Sequence, residues 1–286
     1  MRLANLNGRA TLVTDGGLID VEKASEAEFS SDVDVLVGQL AELSQWFREA
    51  SPAVTDLTTP AQLERDPGLG PVVNQPGQVF AIGLNYRTHA LEMGLTLPEK
   101  PMVFTKFPSS VAGANAAFPI PSSMTDWESE LVVVIGKQGR NVSVADALDY
   151  VAGYCVGQDL SDRELQLLGS PAQFSLGKSY ENFAPIGPWI TTTDEVVDPN
   201  ALEITCDVNG VRRQDSSTSD MVFGVRELVA YVSSVCELRP GDIMFTGSPH
   251  GVGQGQDPPV FLKPGDVLET SIERLGSLRN VGRGRP

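Results

Sequence analysis

Residues 126–162 read DWESELVVVIGKQGRNVSVADALDYVAGYCVGQDLSD, and the two apolar runs in this stretch decide how the rest of the chain is read. Residues 131–135 are branched and apolar, the signature of a buried strand. Successive side chains on a strand point to opposite faces, so Glu128 and Glu130 share one face, close enough to share a ligand. Two carboxylates at the edge of an apolar core repel each other and are costly to desolvate unless a proton or a cation lies between them. A second short strand, residues 154–157, ends in Gln158-Asp159. If the two strands pair, Asp159 brings a third carboxylate to the same point. Three oxygen donors without thiol or imidazole describe a hard-cation site, Mg²⁺ ahead of Mn²⁺. The glutamates would equally suit the solvated face of an edge strand, so spacing alone leaves both arrangements open. Composition narrows the donors: with only His89, His250 and three cysteines, a zinc site of the His/Cys kind has few candidate ligands.

At 286 residues the chain suits one large domain, or a small one attached to a larger. Its 37 acidic against 21 basic residues give a formal charge of −16, which argues against nucleic acid as a partner. An anionic substrate would then need a local basic patch, so the few cations near the acidic stretch gain interest. Cys155, Cys206 and Cys236 are odd in number, far apart and in no C-x-x-C spacing, as expected of buried thiols in a reduced cytoplasmic protein. The N-terminal MRLANLNGRATLVTDGG has no apolar signal core, and no apolar run approaches the ~18 residues of a membrane span. A soluble, cytoplasmic protein without a membrane partner is expected.

Outward from the central stretch, residues 9–14 and 18–22 flank Asp15-Gly16-Gly17 as a hairpin. Ser31 stands as the N-cap of a helix over 32–50, whose apolar positions Val33, Leu36, Leu40, Leu43 and Phe47 fall on one face. Residues 51–78, rich in Pro, Gly and Thr, read as a linker, giving a small N-terminal domain over 1–75 and a larger one over 76–286. A strand over 79–84 runs into His89 and Glu92, three apart and so on one face of a helix, where the carboxylate can orient the imidazole. Such a pair is a usual general base for water, although a surface histidine at a helix start has the same signature. Residues 98–121 look like a long irregular loop carrying Lys106. Beyond a short helix over 144–150, Arg163 and Gln166 share a helical face just after Asp159, and Arg suits a two-point hold on a substrate carboxylate. Gly177-Lys178-Ser179 is no P-loop, since Ala172 stands where its first glycine belongs. Lys178 is then either a structural ion pair or a cation able to stabilise an enolate. The last third alternates like strands around Asn209-Gly210, with an amphipathic helix over 222–238 and two Pro-Gly-Asp turns. The glycine-rich 246–255 segment lacks the third glycine of a dinucleotide fingerprint, with Gln256 in its place, and reads as a loop whose backbone and hydroxyls approach a ligand.

Taken in order, these pieces resemble the fumarylacetoacetate hydrolase family over most of residues 79–280. The matching stretches are Gly83-Leu84-Asn85-Tyr86 with His89 and Glu92, Glu128-x-Glu130-Leu131, residues 150–154, Asp159 with Arg163 and Gln166, Lys178-Ser179, residues 185–189, Pro240-Gly241-Asp242 and Thr246-Gly247-Ser248-Pro249. The resemblance implies an α+β protein, with a mixed β-roll catalytic domain behind a small α+β N-terminal domain, usually a homodimer. It implies a divalent metal on Glu128, Glu130 and Asp159, catalysis by His89, Glu92 and Lys178, and substrate contacts from Tyr86, Arg163, Gln166 and Ser248. The branch it points to is the acylpyruvase and 2,4-diketo-3-deoxy sugar acid hydrolase group. The expected reaction is hydrolysis of a carbon–carbon bond in a 2,4-dioxo acid, giving pyruvate or a related 2-oxo acid and a carboxylic acid. Decarboxylation of oxaloacetate, or a related lyase or isomerase reaction on the same metal enolate, is the alternative. Ser248 stands where the family more often has Thr, and Tyr180-Glu181 where it usually has an aromatic residue and Asp; both differences bear on substrate choice rather than on the metal ligands.

Overall fold

The computed structural model describes residues 1–284. Its main sheet contains β1 (Arg2–Leu6), β2 (Arg9–Thr14), β3 (Gly17–Asp20), β4 (Val79–Gly83), β5 (Met102–Thr105), β6 (Ser129–Ile135), β7 (Val151–Gln158), β8 (Ala184–Thr192) and β9 (Ile243–Phe245). Across the sheet they run β3-β2-β1-β8-β7-β6-β9-β4-β5, antiparallel except for the parallel β9–β4 pair, and the two-residue Val111–Ala112 strand adds to β8. A second sheet joins Val211–Ser217, Glu203–Val208, Val267–Ile272, Gly276–Arg283 and Ala117–Pro119 in that order. The expected mixed α+β class is what the molecule shows. No helix among the described residues is long and apolar enough to cross a membrane.

β6 is an interior strand between β7 and β9, and all seven of its residues are buried. The edge-strand alternative for Glu128 and Glu130 is therefore excluded by sheet order, which periodicity does not encode. The N-terminal hairpin closes as expected around Gly17, and its partner β1 hydrogen-bonds to β8, so residues 2–20 extend the main sheet. The helix expected over 32–50 is broken. It starts at Val33, capped by Asp32 rather than Ser31, passes through a 3₁₀ turn at Val37–Gln39 and resumes at Leu40–Ala50. Gly38, a poor helix former, sits in that turn. The linker is also more ordered than its composition suggests, with a Thr59-capped turn at Pro60–Leu63 and buried Leu63, Leu69, Val72 and Val73. Residues 98–121 are not one loop: β5 and two short strands lie inside the proline-rich run. Both Pro-Gly-Asp turns are structural as expected, with Gly241 and Gly265 at positive φ and the aspartates accepting from Arg239 N–H and Lys263 N–H. Cys155 and Cys206 are buried, while Cys236 is only half-buried; burial pushes the Cys206 thiol up to about 12.

Two buried amides clamp the site region. Asn85 Nδ2 donates to Phe223 O (3.0 Å) and Thr246 O (2.7 Å), while Phe223 N–H donates to Asn85 Oδ1 (2.9 Å). Gln214 Oε1 accepts from Ser129 N–H (2.9 Å), and its Nε2 donates to Ser248 Oγ and Pro249 O (2.9 Å each), tying the second sheet to β6 and to the loop after β9. Replacing Asn85 by Ala strands three backbone groups at once. Asn85→Ala is expected to destabilise the fold by about 2–4 kcal/mol, measured by denaturant titration. A change below about 1 kcal/mol would show that the clamp is not structural.

Candidate active site

Register builds the acidic cluster. Ser129 pairs with Gln158 and Glu130 with Gly157 across β6 and β7, and Asp159 N–H donates to Glu128 O (2.9 Å). Glu128, Glu130 and Asp159 each offer a carboxylate oxygen within 4.8 Å of the other two, and all three are buried. The strand pairing on which the third carboxylate depended is therefore formed.

Cations surround the cluster unevenly. Lys178 Nζ bridges Glu128 Oε2 and Asp159 Oδ2 at 2.7 Å each. Lys106 Nζ lies 2.6 Å from Asp159 Oδ1 and also donates to the Lys178 carbonyl. Arg163 reaches Asp126 Oδ2 through Nε (2.9 Å) and Nη2 (2.8 Å), and Glu128 Oε1 through Nη2 (2.6 Å). Glu130 forms no ion pair among the described residues; its Oε2 accepts from Gly247 N–H at 2.7 Å. The carboxyls respond accordingly. Burial would raise Glu128, but Lys178 and Arg163 outweigh it and hold the group well below the usual carboxylate range. Burial, then the charges of Asp159 and Glu128, push Glu130 far above that range. Lys178 is raised, because the attraction of Asp159 and Glu128 overcomes its desolvation, whereas for Lys106 desolvation wins and the amine is lowered.

These residues fit a hard divalent cation. Donor chemistry is all oxygen, and Glu130 is the carboxylate left without a compensating charge. With Glu130 ionised, as it would be on a metal, Asp126, Glu128, Glu130 and Asp159 against Lys106, Lys178 and Arg163 leave one net negative charge. A divalent ion would turn that into one positive charge, which a single substrate carboxylate would cancel.

His89 and Glu92 lie on the Arg87–Glu92 helix, with Nδ1 to Oε2 at 2.9 Å. The other oxygen, Glu92 Oε1, accepts from Gly251 N–H (2.9 Å), so the carboxylate is fixed at both ends and the imidazole it holds through Nδ1 has its second nitrogen, Nε2, outside that pairing. The surface alternative for His89 falls, because its ring is largely covered and lines a cavity of about 150 Å³ with Glu128, Arg163, Gln166, Lys178 and Ser248. The glycine-rich 246–255 segment approaches protein carboxylates: its N–H groups serve Glu130, Glu92 and Asp126. Gly251, at φ 95°, has no room for a Cβ, which would lie 2.0 Å from Arg213 O. Gly247, at φ 103°, would clash with Asn85 Cβ at 2.7 Å.

Two expected roles are modified. Tyr86 does not line the cavity; it is fully buried in the core, and its phenol has no hydrogen-bond partner among the described residues. Its backbone bridges to Met221, and burial, then the charge of Glu130, keep the phenol protonated. Arg163 is already engaged with Asp126, Glu128 and Gln166 Oε1 (2.9 Å), leaving one of its five N–H groups for a ligand rather than a free two-point fork. Sequence patterns gave no role to Asp126 or Gln214, and noted Lys106 only as a cation on a long loop. Asp126 accepts from Arg163 and from the backbone N–H groups of Gly253 (2.6 Å) and Gln254 (3.0 Å), a role only the chain's path reveals.

A family model described as fumarylacetoacetate (FAA) hydrolase C-terminal matches residues 78–281. The chain is 48% identical over 217 residues to the "Fumarylacetoacetate hydrolase domain-containing protein 2 homolog" of Dictyostelium discoideum, covering 72% of this chain and 71% of that protein. Among solved structures, a "putative HpcE protein" from Mycobacterium smegmatis superposes with a TM-score of 0.92 at 45% identity, over the full length of both chains. Maleylpyruvate hydrolase from Sphingobium sp. SYK-6, solved with a manganese(II) ion and pyruvate, gives 0.79 at 30% identity, again over both full chains.

Proposed function

The chain belongs to the fumarylacetoacetate hydrolase family, and from that premise we propose that it hydrolyses a carbon–carbon bond in a 2,4-dioxo acid, using Mg²⁺ or Mn²⁺. The observation that carries this reading is that one cavity is lined both by Glu128, a member of the buried carboxylate trio, and by His89, whose imidazole is paired with Glu92. Glu128, Glu130 and Asp159 would hold the metal, which supplies Lewis-acid polarisation of the 2-oxo group when bound.

The chain's own residues supply the rest. The remaining Arg163 N–H and Gln166 hold the substrate's acid end. His89 Nε2 takes a proton from a water as its oxygen bonds to the distal carbonyl carbon, and Glu92 stabilises the resulting imidazolium. When that carbonyl re-forms, the bond between C3 and C4 breaks and its electron pair stays with C3 as the enolate of a 2-oxo acid. The Lys178 ammonium, held at the trio, stabilises that negative charge. Protonation of C3 from His89 restores the base. One dioxo acid and one water give one 2-oxo acid and one carboxylic acid. Support for pyruvate as the 2-oxo product comes from the pyruvate bound in the maleylpyruvate hydrolase relative.

Decarboxylation of oxaloacetate would need the trio but no attacking water, and would leave the clamped His89–Glu92 pair without a task. Pyruvate and CO₂ release, measured in parallel on acylpyruvates and oxaloacetate with Mg²⁺ or Mn²⁺, separates the two. Pyruvate with a second carboxylic acid and no CO₂ is expected; CO₂ from oxaloacetate alone would replace the hydrolase by a decarboxylase.

A further inference from the structure

Resting on the dioxo-acid reading above, we infer that this site selects substrates whose distal group is uncharged and apolar, and disfavours those ending in a second carboxylate. The cavity lining is of two kinds. Polar groups come from His89, Glu128, Arg163, Gln166, Lys178 and Ser248. Apolar side chains come from Met93, Leu95, Met102, Phe104, Leu167 and Phe174. The two meet at Phe104, whose ring centroid lies 5.2 Å from Lys178 Nζ and which packs edge-on against Phe174 at 5.6 Å.

Charge supply sets the preference. The basic residues lining the cavity are His89, Arg163 and Lys178, and each is already paired with a carboxylate of the chain. Among the described residues no other cation lines the cavity, and Lys178, the one beside the apolar side chains at Phe104, is held by Glu128 and Asp159. A second substrate carboxylate there would lose its hydration without gaining a partner. An alkyl or aryl group would instead cover apolar surface that the described residues leave open: Leu95 and Leu167 remain 49% and 45% exposed. Met102 packs its thioether methyl onto Gly83, where a Cβ would come within 2.1 Å of it.

The test uses the full-length protein with Mn²⁺. Specificity constants along acetyl-, butyryl- and hexanoylpyruvate should rise about fourfold per buried methylene, and the adipoyl analogue, of matching length but ending in carboxylate, should fall at least about thirtyfold below hexanoyl. Binding is read separately, by thermal shift with 2-oxohexanoate and 2-oxoadipate, which lack the cleavable bond. The alkyl acid should bind more tightly, and Met102→Lys should narrow the gap about tenfold. Equal or better binding of 2-oxoadipate would overturn the apolar subsite whatever the turnover. Tighter binding of 2-oxohexanoate without hydrolysis of any acylpyruvate would uphold the subsite and remove the hydrolase reading instead.

Discussion

Metal-free protein carrying Glu130→Gln is expected to melt a few degrees above metal-free wild type at neutral pH, and to gain nothing from added Mg²⁺ or Mn²⁺. Glu130 is buried against two other carboxylates, and the nearby cations are paired with Glu128, Asp159 and Asp126 rather than with it. Its carboxyl is therefore raised far above its unfolded value. The sign follows from proton linkage. Between the ordinary carboxylate range and the raised folded value, the folded chain holds a proton that the unfolded chain releases, so stability falls as pH rises. Gln carries no such dependence, and the gap between variant and wild type should widen with pH. Relief on the order of 2 kcal/mol is expected, read as a rise in Tm. With metal the order reverses: wild type at a hundredfold excess over Kd gains about 2.7 kcal/mol, while the variant has lost a charged ligand. Hydrolysis should drop about a thousandfold or more, equivalent to about 4 kcal/mol of transition-state stabilisation. A variant that binds metal as tightly as wild type, or melts lower without it, would show that Glu130 is no ligand.

His89→Ala should lower acylpyruvate hydrolysis by about 10²–10⁴ and leave metal binding intact. The geometry behind this is specific: Nδ1 is held by Glu92 at 2.9 Å, and Glu92 is held in turn by Gly251 N–H at 2.9 Å. The imidazole is thereby oriented where it lines the cavity. Glu92→Gln keeps the shape of that support but removes the charge, and is expected to cost about tenfold to a hundredfold in kcat with little change in KM. Full hydrolysis by His89→Ala in the presence of Mg²⁺ would end the water-activation role and leave His89 as a wall of the cavity.

The same pair shows how far local sequence reaches. His89 and Glu92, three apart, meet because a helix puts them on one face, and Glu128 and Glu130 share a face because a strand has period two. Asp159 joins them because β7 pairs with β6 in the register that its apolar run requires. Spacing offered the two pairs separately and Asp159 only if the strands paired; the family resemblance joined them, and Glu128 and His89 do line one cavity. Turn chemistry likewise placed the Asn209-Gly210 hairpin and the two Pro-Gly-Asp turns, each a short-range consequence of glycine at positive φ.

What spacing could not assign was the distribution of charge. Asp159 finds Lys106 from 53 positions away, and Ser129 is held by Gln214 from 85 away. Arg163, expected to wait for a substrate, is taken by Asp126 and Glu128, and Tyr86, expected beside the substrate, lies in the core. Those outcomes depend on sheet order, which inserts residues 243–245 between strands 129–135 and 79–83 and so carries the glycine-rich loop onto Glu130 and Glu92. A residue's local neighbours fix which face it occupies. Which distant charge it meets across that face is decided only when the strands have paired.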